Sequence, residues 1–324
     1  MKISVIITSY NQKSYLRQTL NSVLAQTVSP YEIIICDDCS TDGSRMMIKD
    51  YERQHPELIK AIYQDFNIGV TRNRNSGIKM ATGDYVSTLD GDDLYYPKKL
   101  EKEMAAVKKT GAPLVYSNVV YINENGQKIG VRYKGHQLLE GCLFEKTATL
   151  KYPCPREVMI KRSCIEEMGF QDESFQINED FEWMVRLASR FAFVAVDEQL
   201  VLHRIHSKGL SCSNRLLLLE TQEKMIEKTL KIAGQSIEKD KTKTRKKLTA
   251  FLNLTRARIA EEQNQFSAAR PYLFKAIRND VLRSANYDLL LRLFLPNFFR
   301  KNSRLPDPLM IGPAAIPFYI ARGI

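Results

Sequence analysis

The chain of 324 residues carries 48 Lys and Arg against 37 Asp and Glu, a net charge of +11, with 44% hydrophobic and 26% charged residues. This is an ordinary globular composition, which excludes collagen-like, disordered and disulfide-scaffold classes. Residues 1–214 hold 27 basic and 27 acidic side chains and residues 215–324 hold 21 and 10, so the whole excess lies in the last third and two regions with different partners are expected.

Residues 2–9 are dense in β-branched side chains and stop at Ser9-Tyr10-Asn11, which predicts a buried first strand. The N-terminus lacks the apolar core and small-residue cleavage site of a signal peptide, and no apolar run approaches the ~20 residues that span a bilayer. A cytoplasmic location with reduced thiols is therefore expected. Tyr15, Leu16, Leu20, Val23 and Leu24 recur at helical spacing up to Ser29-Pro30. Residues 31–36 read as a second strand, followed by the polar loop Asp37-Asp38-Cys39-Ser40-Thr41-Asp42-Gly43. Residues 44–54 are expected to be helical, 59–64 extended, 70–82 helical, and 85–89 extended, running into Leu89-Asp90-Gly91-Asp92-Asp93. Such alternation predicts a parallel α/β sheet whose ligands bind at the carboxyl ends of its strands.

A helix is expected over 100–109 and a strand over 114–122, then a hairpin turn at Asn123-Glu124-Asn125-Gly126 into a strand over 128–133. Phe181, Met184, Val185 and Ala188 mark a helix over 181–189, and 193–196 reads as a strand. From 216 to about 295 the pattern is almost wholly helical, including a lysine-rich stretch at 239–247. No convincing repeat is present, although residues 268–278 with the preceding helix bear a faint resemblance to a helical-hairpin repeat unit. Six cysteines (Cys36, Cys39, Cys142, Cys154, Cys164, Cys212) are scattered. Only Cys36 and Cys39 are close, and no second CxxC completes a metal knuckle, so structural thiols are the expectation.

The acidic run Asp90-Gly91-Asp92-Asp93 carries the strongest chemical signal. Three carboxylates in four residues repel one another unless a cation neutralises them, and such a loop suits a hard divalent ion that also takes phosphate oxygens; a solvated acidic turn is the alternative. The Asp37–Asp42 loop follows a second buried strand, where a carboxylate can accept hydrogen bonds from a base or a ribose. With Thr8 to Asn11, these loops would form one site for nucleotide, sugar and metal.

Val5-Ile6-Ile7-Thr8-Ser9-Tyr10-Asn11, Ser22-Val23-Leu24-Ala25-Gln26-Thr27, Ile35-Cys36-Asp37-Asp38-Cys39-Ser40-Thr41-Asp42-Gly43, Asn67-Ile68-Gly69, Arg74-Asn75-Ser76-Gly77-Ile78, Ala81-Thr82-Gly83-Asp84-Tyr85-Val86 and Leu89-Asp90-Gly91-Asp92-Asp93 together resemble glycosyltransferase family 2. The resemblance is dense over the first hundred residues and weaker to about 213. It implies an α/β GT-A fold, a Rossmann-like mixed sheet flanked by helices, followed here by a mainly α-helical C-terminal region. The implied division is a catalytic domain over 1–214, with a nucleotide-sugar half at 1–100 and an acceptor half at 101–214, and a basic helical region over 215–324.

The resemblance further implies a nucleotide-diphosphate sugar donor, with UDP as the expected nucleotide, a Mn²⁺ or Mg²⁺ ion, and inversion at the anomeric carbon. Thr8 and Tyr10 would line the base and ribose pocket, Asp38 would contact the base, Arg74 would lie near the nucleotide, Asp90 would hold the ribose or a metal-bound water, and Asp92 would ligate the metal. Cys39 stands where the family usually has Gly. Asn178-Glu179-Asp180-Phe181-Glu182-Trp183 resembles the family's Glu-Asp motif, making Asp180 the expected base with Glu179 as fallback; a helix-capping acid is the structural alternative. Leu202-His203-Arg204-Ile205-His206-Ser207 resembles its Arg-x-His segment. His206 could ligate the metal or bind the diphosphate, or be a satisfied structural histidine, and Arg204 and Lys208 could neutralise phosphate.

The expected acceptor is a glycan or a lipid-linked hydroxyl in cell-surface polysaccharide synthesis. The basic, apolar-faced stretch 270–301 suits either contact with anionic lipid at the inner face of the cytoplasmic membrane or an ordinary helical subdomain. No nucleic-acid module is recognisable. A non-catalytic sugar-nucleotide- or lipid-binding module is the alternative function. A nucleotidyltransferase fits less well, because no glycine-rich phosphate loop follows the first strand.

Overall fold

The computed structural model describes residues 1–133, 138–175, 177–206 and 215–280, with Asn286, Leu289, Leu290 and Leu293. Two compact units result: one of Met1–Gly141, Pro155–Glu179 and Phe191–His206, the other of Cys142–Cys154, Asp180–Arg190 and the described residues after 206.

The first unit is built on strands β1 (Ile3–Ser9), β2 (Glu32–Asp37), β3 (Ile59–Tyr63), β4 (Tyr85–Asp90), β5 (Leu94–Tyr95), β6 (Leu114–Ile122), β7 (Lys128–Val131), β8 (Met159–Lys161) and β9 (Phe193–Arg204). They form one sheet in the order β3-β2-β1-β4-β8-β6-β9-β5, with β7 on β6. The β1, β2, β3 and β4 pairings are parallel, as alternation predicts, whereas β8 runs antiparallel to both β4 and β6 and makes the sheet mixed.

Every residue of β1 and β2 is buried, as expected of central strands covered on both faces. On one face Val5, Ile7, Ile33 and Ile35 pack with Leu16, Leu20 and Val23 of α1 (Lys13–Leu24) and with Met47 and Ile48 of α2 (Ser44–Gln54). On the other, α3 (Val70–Met80) lies so close that a Cβ at Gly77 would come within 2.5 Å of Cys36 Sγ and Ile6 Cγ2. Burial pushes the Cys36 thiol up to about 12, so this cysteine is packing material and not a thiolate ligand. Helices α4 (Lys99–Thr110) and α6 (Arg162–Met168) complete the unit.

The expected helix over 70–82 stops at Met80 because Thr82 is drawn away by Glu32. Glu32 Oε1 accepts from Thr82 N, Thr82 Oγ1 and Ser4 Oγ, each at 2.7 Å, and Oε2 accepts from Lys60 Nζ at 2.9 Å. Burial alone would raise this carboxyl; the hydrogen bonds from Lys60, Thr82 and Ser4 outweigh it and bring the pKa from 4.5 down to about 2. A lowered folded value contributes stability above 4.5 that is lost as pH falls through about 2, and the difference corresponds to about 3 kcal/mol. Glu32→Gln should cost about that much at pH 7 in urea unfolding, with the gap to wild type closing towards pH 2. A gap independent of pH would show that shape, and not charge, is what the site needs.

β9 extends eight residues past the 193–196 stretch that apolar pattern marks. Its middle, Asp197-Glu198-Gln199, is exposed, and register shifts against β6 at Ser117 to Val119 absorb the irregularity. This extension carries His203 and Arg204.

In the second unit α5 (Phe144–Ala148), most of α7 (Glu179–Ala188), α8 (Arg215–Ile232), α9 (Lys241–Glu262) and α10 (Phe266–Asn279) are helical. Asp240 caps α9 by accepting from Lys243 N at 2.9 Å. A turn at Asn264, φ +60°, reverses the chain into α10. Ala257 and Ala260 of α9 cluster with Ala269, Leu273 and Ala276 of α10 in a seam of mostly small residues. Arg256 ties α9 to Glu223 and Glu227 of α8 at 2.7 and 2.6 Å. No helix among the described residues is long and apolar enough to cross a membrane. Of the basic, apolar-faced stretch 270–301, only residues 270–280, Asn286, Leu289, Leu290 and Leu293 are described, and the rest lies outside the described residues.

Candidate active site

The sheet register sets the site. Thr8, near the end of β1, pairs with Cys36 on one side and Asp90 on the other, so the loops after β1, β2 and β4 meet at one edge. Cross-loop bonds fix them: Asn11 N donates to Ser40 Oγ at 2.9 Å, Thr41 N donates to Asn11 Oδ1 at 2.8 Å, and Gly91 N donates to Thr8 O at 2.8 Å. A Cβ at Gly91 would stand 2.7 Å from Thr8 O, which explains a glycine between the two aspartates.

Cys39, standing where a glycine was expected, has φ +63°, a left-handed conformation that glycine adopts without strain. The second loop thus keeps the backbone geometry that glycine favours. Asp38 beside it accepts from Ile68 N at 2.7 Å and Gly69 N at 2.9 Å, one bond per oxygen, holding the 65–69 loop. Each oxygen retains a further lone pair. Tyr10 stands 48% exposed on the first loop, an open ring at the edge of the site.

Asp90 is the hub. Thr8 Oγ1 donates to its Oδ1 at 3.2 Å and Arg74 Nη2 at 2.6 Å, while Arg156 Nη2 lies 3.7 Å from Oδ2. Burial would raise this carboxyl; Arg74 and Arg156 overcome it and hold it near 2. The other arm of Arg74 donates to Glu179 Oε1 at 3.0 Å and Gln171 Oε1 at 3.1 Å. Glu179 is therefore engaged with a buried guanidinium. Asp180, the next residue, belongs to the second unit, where its Oδ1 accepts from Phe181 N at 2.7 Å in the first turn of α7.

The next two aspartates each meet a histidine from the end of β9. Asp92 Oδ2 is 2.8 Å from His206 Nε2, and this contact raises the imidazole pKa. Asp93 Oδ2 is 2.8 Å from His203 Nδ1, and its Oδ1 accepts from Arg204 N at 2.8 Å. Arg204 does not have the phosphate-facing freedom expected of it. Its guanidinium donates to Asp92 O, Asn123 O, Glu124 O and Gln18 Oε1, and lies 4.6 Å from the Tyr15 ring centroid, so it fixes the acidic loop instead. Tyr15 also stacks on His206 with ring centroids 5.3 Å apart. Lys208 lies outside the described residues. One carboxylate and one imidazole at Asp92 and His206 form a donor set that suits a divalent ion, manganese better than magnesium on account of the nitrogen.

Sequence reasoning missed Arg156, Glu157 and Gln171. All three lie in the first unit, in irregular chain around β8 and α6 with no periodicity to mark them. The only available signal was an Arg-Glu pair after two prolines. His203 stands just before the Arg-x-His segment and carries no signal of its own in the sequence.

A family model described as Glycosyl transferase family 2 matches residues 4–169. An uncharacterized glycosyltransferase from Nostoc sp. is 43% identical over 129 residues, 40% of this chain and 40% of that protein. "Putative teichuronic acid biosynthesis glycosyltransferase TuaG" of Bacillus subtilis is 36% identical over 211 residues, 64% of this chain and 81% of TuaG. The Escherichia coli protein named UDP-Glc:alpha-D-GlcNAc-diphosphoundecaprenol beta-1,3-glucosyltransferase WfgD is 31% identical over 123 residues, 38% of this chain and 47% of WfgD. The chain thus spans less than half the length of the Nostoc protein and of WfgD. Among solved structures, S. aureus TarS 1-349 superposes with a TM-score of 0.67 at 17% identity, over 93% of this chain and 92% of that one. The fold is therefore that of TarS, and with the family model matching half of the sequence and TuaG aligned over most of its length, the chain belongs to glycosyltransferase family 2.

Proposed function

We propose that the chain is a metal-dependent inverting glycosyltransferase, moving a hexosyl or hexosaminyl group from a UDP-sugar to a hydroxyl of a glycan or lipid-linked acceptor in cell-surface polysaccharide synthesis. The observation that carries this reading is the Asp92–His206 pair, 2.8 Å apart, in which Asp92 lies two residues after Asp90, itself paired with Arg74 at the carboxyl edge of the sheet. The name of WfgD, with its UDP-Glc donor and diphosphoundecaprenol acceptor, supports the donor and acceptor classes.

Thr8, Tyr10 and Asp38 line the base and ribose pocket, and Arg74 holds Asp90 ionised for the ribose. Asp92 and His206 hold Mn²⁺ or Mg²⁺, which when bound offsets the charge of the departing diphosphate. Asp180 takes the proton of the acceptor hydroxyl as its oxygen attacks the anomeric carbon opposite the leaving group, so an α-linked donor yields a β-linkage. Glu179 is the poorer base, since Arg74 and Gln171 engage its carboxylate or lie beside it. The basic excess after residue 214 supports a peripheral contact with anionic lipid at the inner face of the cytoplasmic membrane.

A panel of nucleotide sugars tested by thermal unfolding with and without Mn²⁺ checks this. The correct donor at 100 times its Kd adds about 2.7 kcal/mol and raises Tm by about 5 °C. The rise should need Mn²⁺ and vanish in Asp92→Asn. A donor that binds but is neither hydrolysed nor transferred would favour a non-catalytic sugar-nucleotide-binding module.

A further inference from the structure

Beside the Asp92–His206 pair lies a second set of ligand-type atoms with no part in the mechanism above. One carboxylate oxygen each of Asp93 and Glu157 and a ring nitrogen of His203 lie within 4.8 Å of one another. All three belong to the first unit. They come from the acidic loop, the segment before β8 and the end of β9, so the sheet assembles the group from three separate parts of the chain.

Acidic clusters are common, but this one contains a buried oxygen that needs an explanation. The Glu157 side chain is 5% exposed; its Oε1 faces Arg156 Nε at 3.2 Å, and its Oε2 has no hydrogen-bond partner among the described residues. A buried carboxyl oxygen left without a partner carries its desolvation cost with nothing to offset it. Glu157 is also held at φ +46°, so the backbone accepts an unfavourable conformation to place it.

We propose that Asp93, Glu157 and His203 form a second divalent-cation site, separate from Asp92 and His206, that binds a first-row transition ion such as Mn²⁺ or Zn²⁺ and fixes the acidic loop to β9. Two oxygens and one imidazole nitrogen favour such ions over Mg²⁺ and Ca²⁺, which take oxygen. Arg204 N, donating to Asp93 Oδ1, orients the first ligand from outside the site.

The test uses Mn²⁺ alone, without nucleotide, on chelator-stripped full-length protein, with bound ion counted by the loss of the free Mn²⁺ electron paramagnetic resonance signal. We expect an equivalent of bound Mn²⁺ that survives Asp92→Asn and is lost, with at least a tenfold rise in Kd, in both Glu157→Gln and His203→Asn. Circular dichroism checks that each variant folds, and an anomalous difference peak from Mn²⁺ between Glu157 and His203 in wild-type crystals gives a readout free of any variant. Mn²⁺ binding that Glu157→Gln leaves intact, or no such peak, overturns the proposal. Loss in Asp92→Asn alone would assign the ion to Asp92 and His206 only, whereas loss in Glu157→Gln alone would uphold this site and remove support for the other.

Discussion

Transfer by an Asp180→Asn variant is expected to fall by about 10³-fold, with Kd for the donor changed less than about threefold. The amide is nearly isosteric but cannot accept the acceptor's proton, so only the step that needs a base is lost. Asp180 already accepts from Phe181 N, and an amide oxygen can accept the same bond, which keeps the helix start intact. Glu179→Gln provides the contrast. Because its carboxylate answers Arg74 at 3.0 Å, that change should lower stability and donor affinity together and leave turnover at saturating donor within about tenfold. Steady-state kinetics with donor titrations on both variants decides the assignment, and equal loss of binding and turnover in Asp180→Asn would make Asp180 structural.

The second large effect belongs to Arg74. Its guanidinium is 6% exposed and answers Asp90 on one arm and Glu179 and Gln171 on the other. Arg74→Met takes from Asp90 and Glu179 the guanidinium they share and leaves Asp90 only Arg156 at 3.7 Å, and breaking a buried pair in this way costs about 3–5 kcal/mol. Urea unfolding at pH 7 measures it; a loss below about 1 kcal/mol would mean that water already solvates the pair. Lysine should restore little, since a single ammonium cannot reach both carboxylates and Gln171 in the geometry of the fork.

The pH dependence gives an independent check. Asp90 titrates near 2 in the folded protein against 3.8 unfolded, so its contribution of about 2 kcal/mol is present above 3.8 and disappears as pH falls through about 2. Arg74→Met should flatten that part of the stability curve, and Asp90→Asn should flatten it to the same extent.

Much of this was legible in the residue order because the elements are local and regular. β1 and β2 are continuous β-branched runs, α1 has a clean apolar stripe, and the loops that follow the strands carry the acidic residues. A βαβ alternation then places those loops on one edge without further information. The same rules failed where elements are short or irregular. β5 has two residues and β8 three, too few for any period to show, and the exposed Asp197-Glu198-Gln199 segment hid the second half of β9. Arg156, Glu157 and Gln171 come from chain with no repeating pattern, and only pairing across the sheet brings the first two to Asp90 and Asp93 and the third to Arg74.

Arg204 marks the boundary most clearly. From the sequence, an arginine two residues before a histidine at a phosphate site is a candidate to bind phosphate, because charge type and spacing are all that can be read. In the fold its donors are taken by Asp92 O, Asn123 O, Glu124 O and Gln18, so it shapes the acidic loop. Sequence alone determined the fold family, the edge at which the chemistry sits, and the location of the +11 charge outside the transferase resemblance, since periodicity, motif order and charge are properties of the chain itself. Which carboxylates are paired, which histidine meets which aspartate, and which buried oxygen is left without a partner depend on contacts between residues far apart in the chain, and only the tertiary structure decided them.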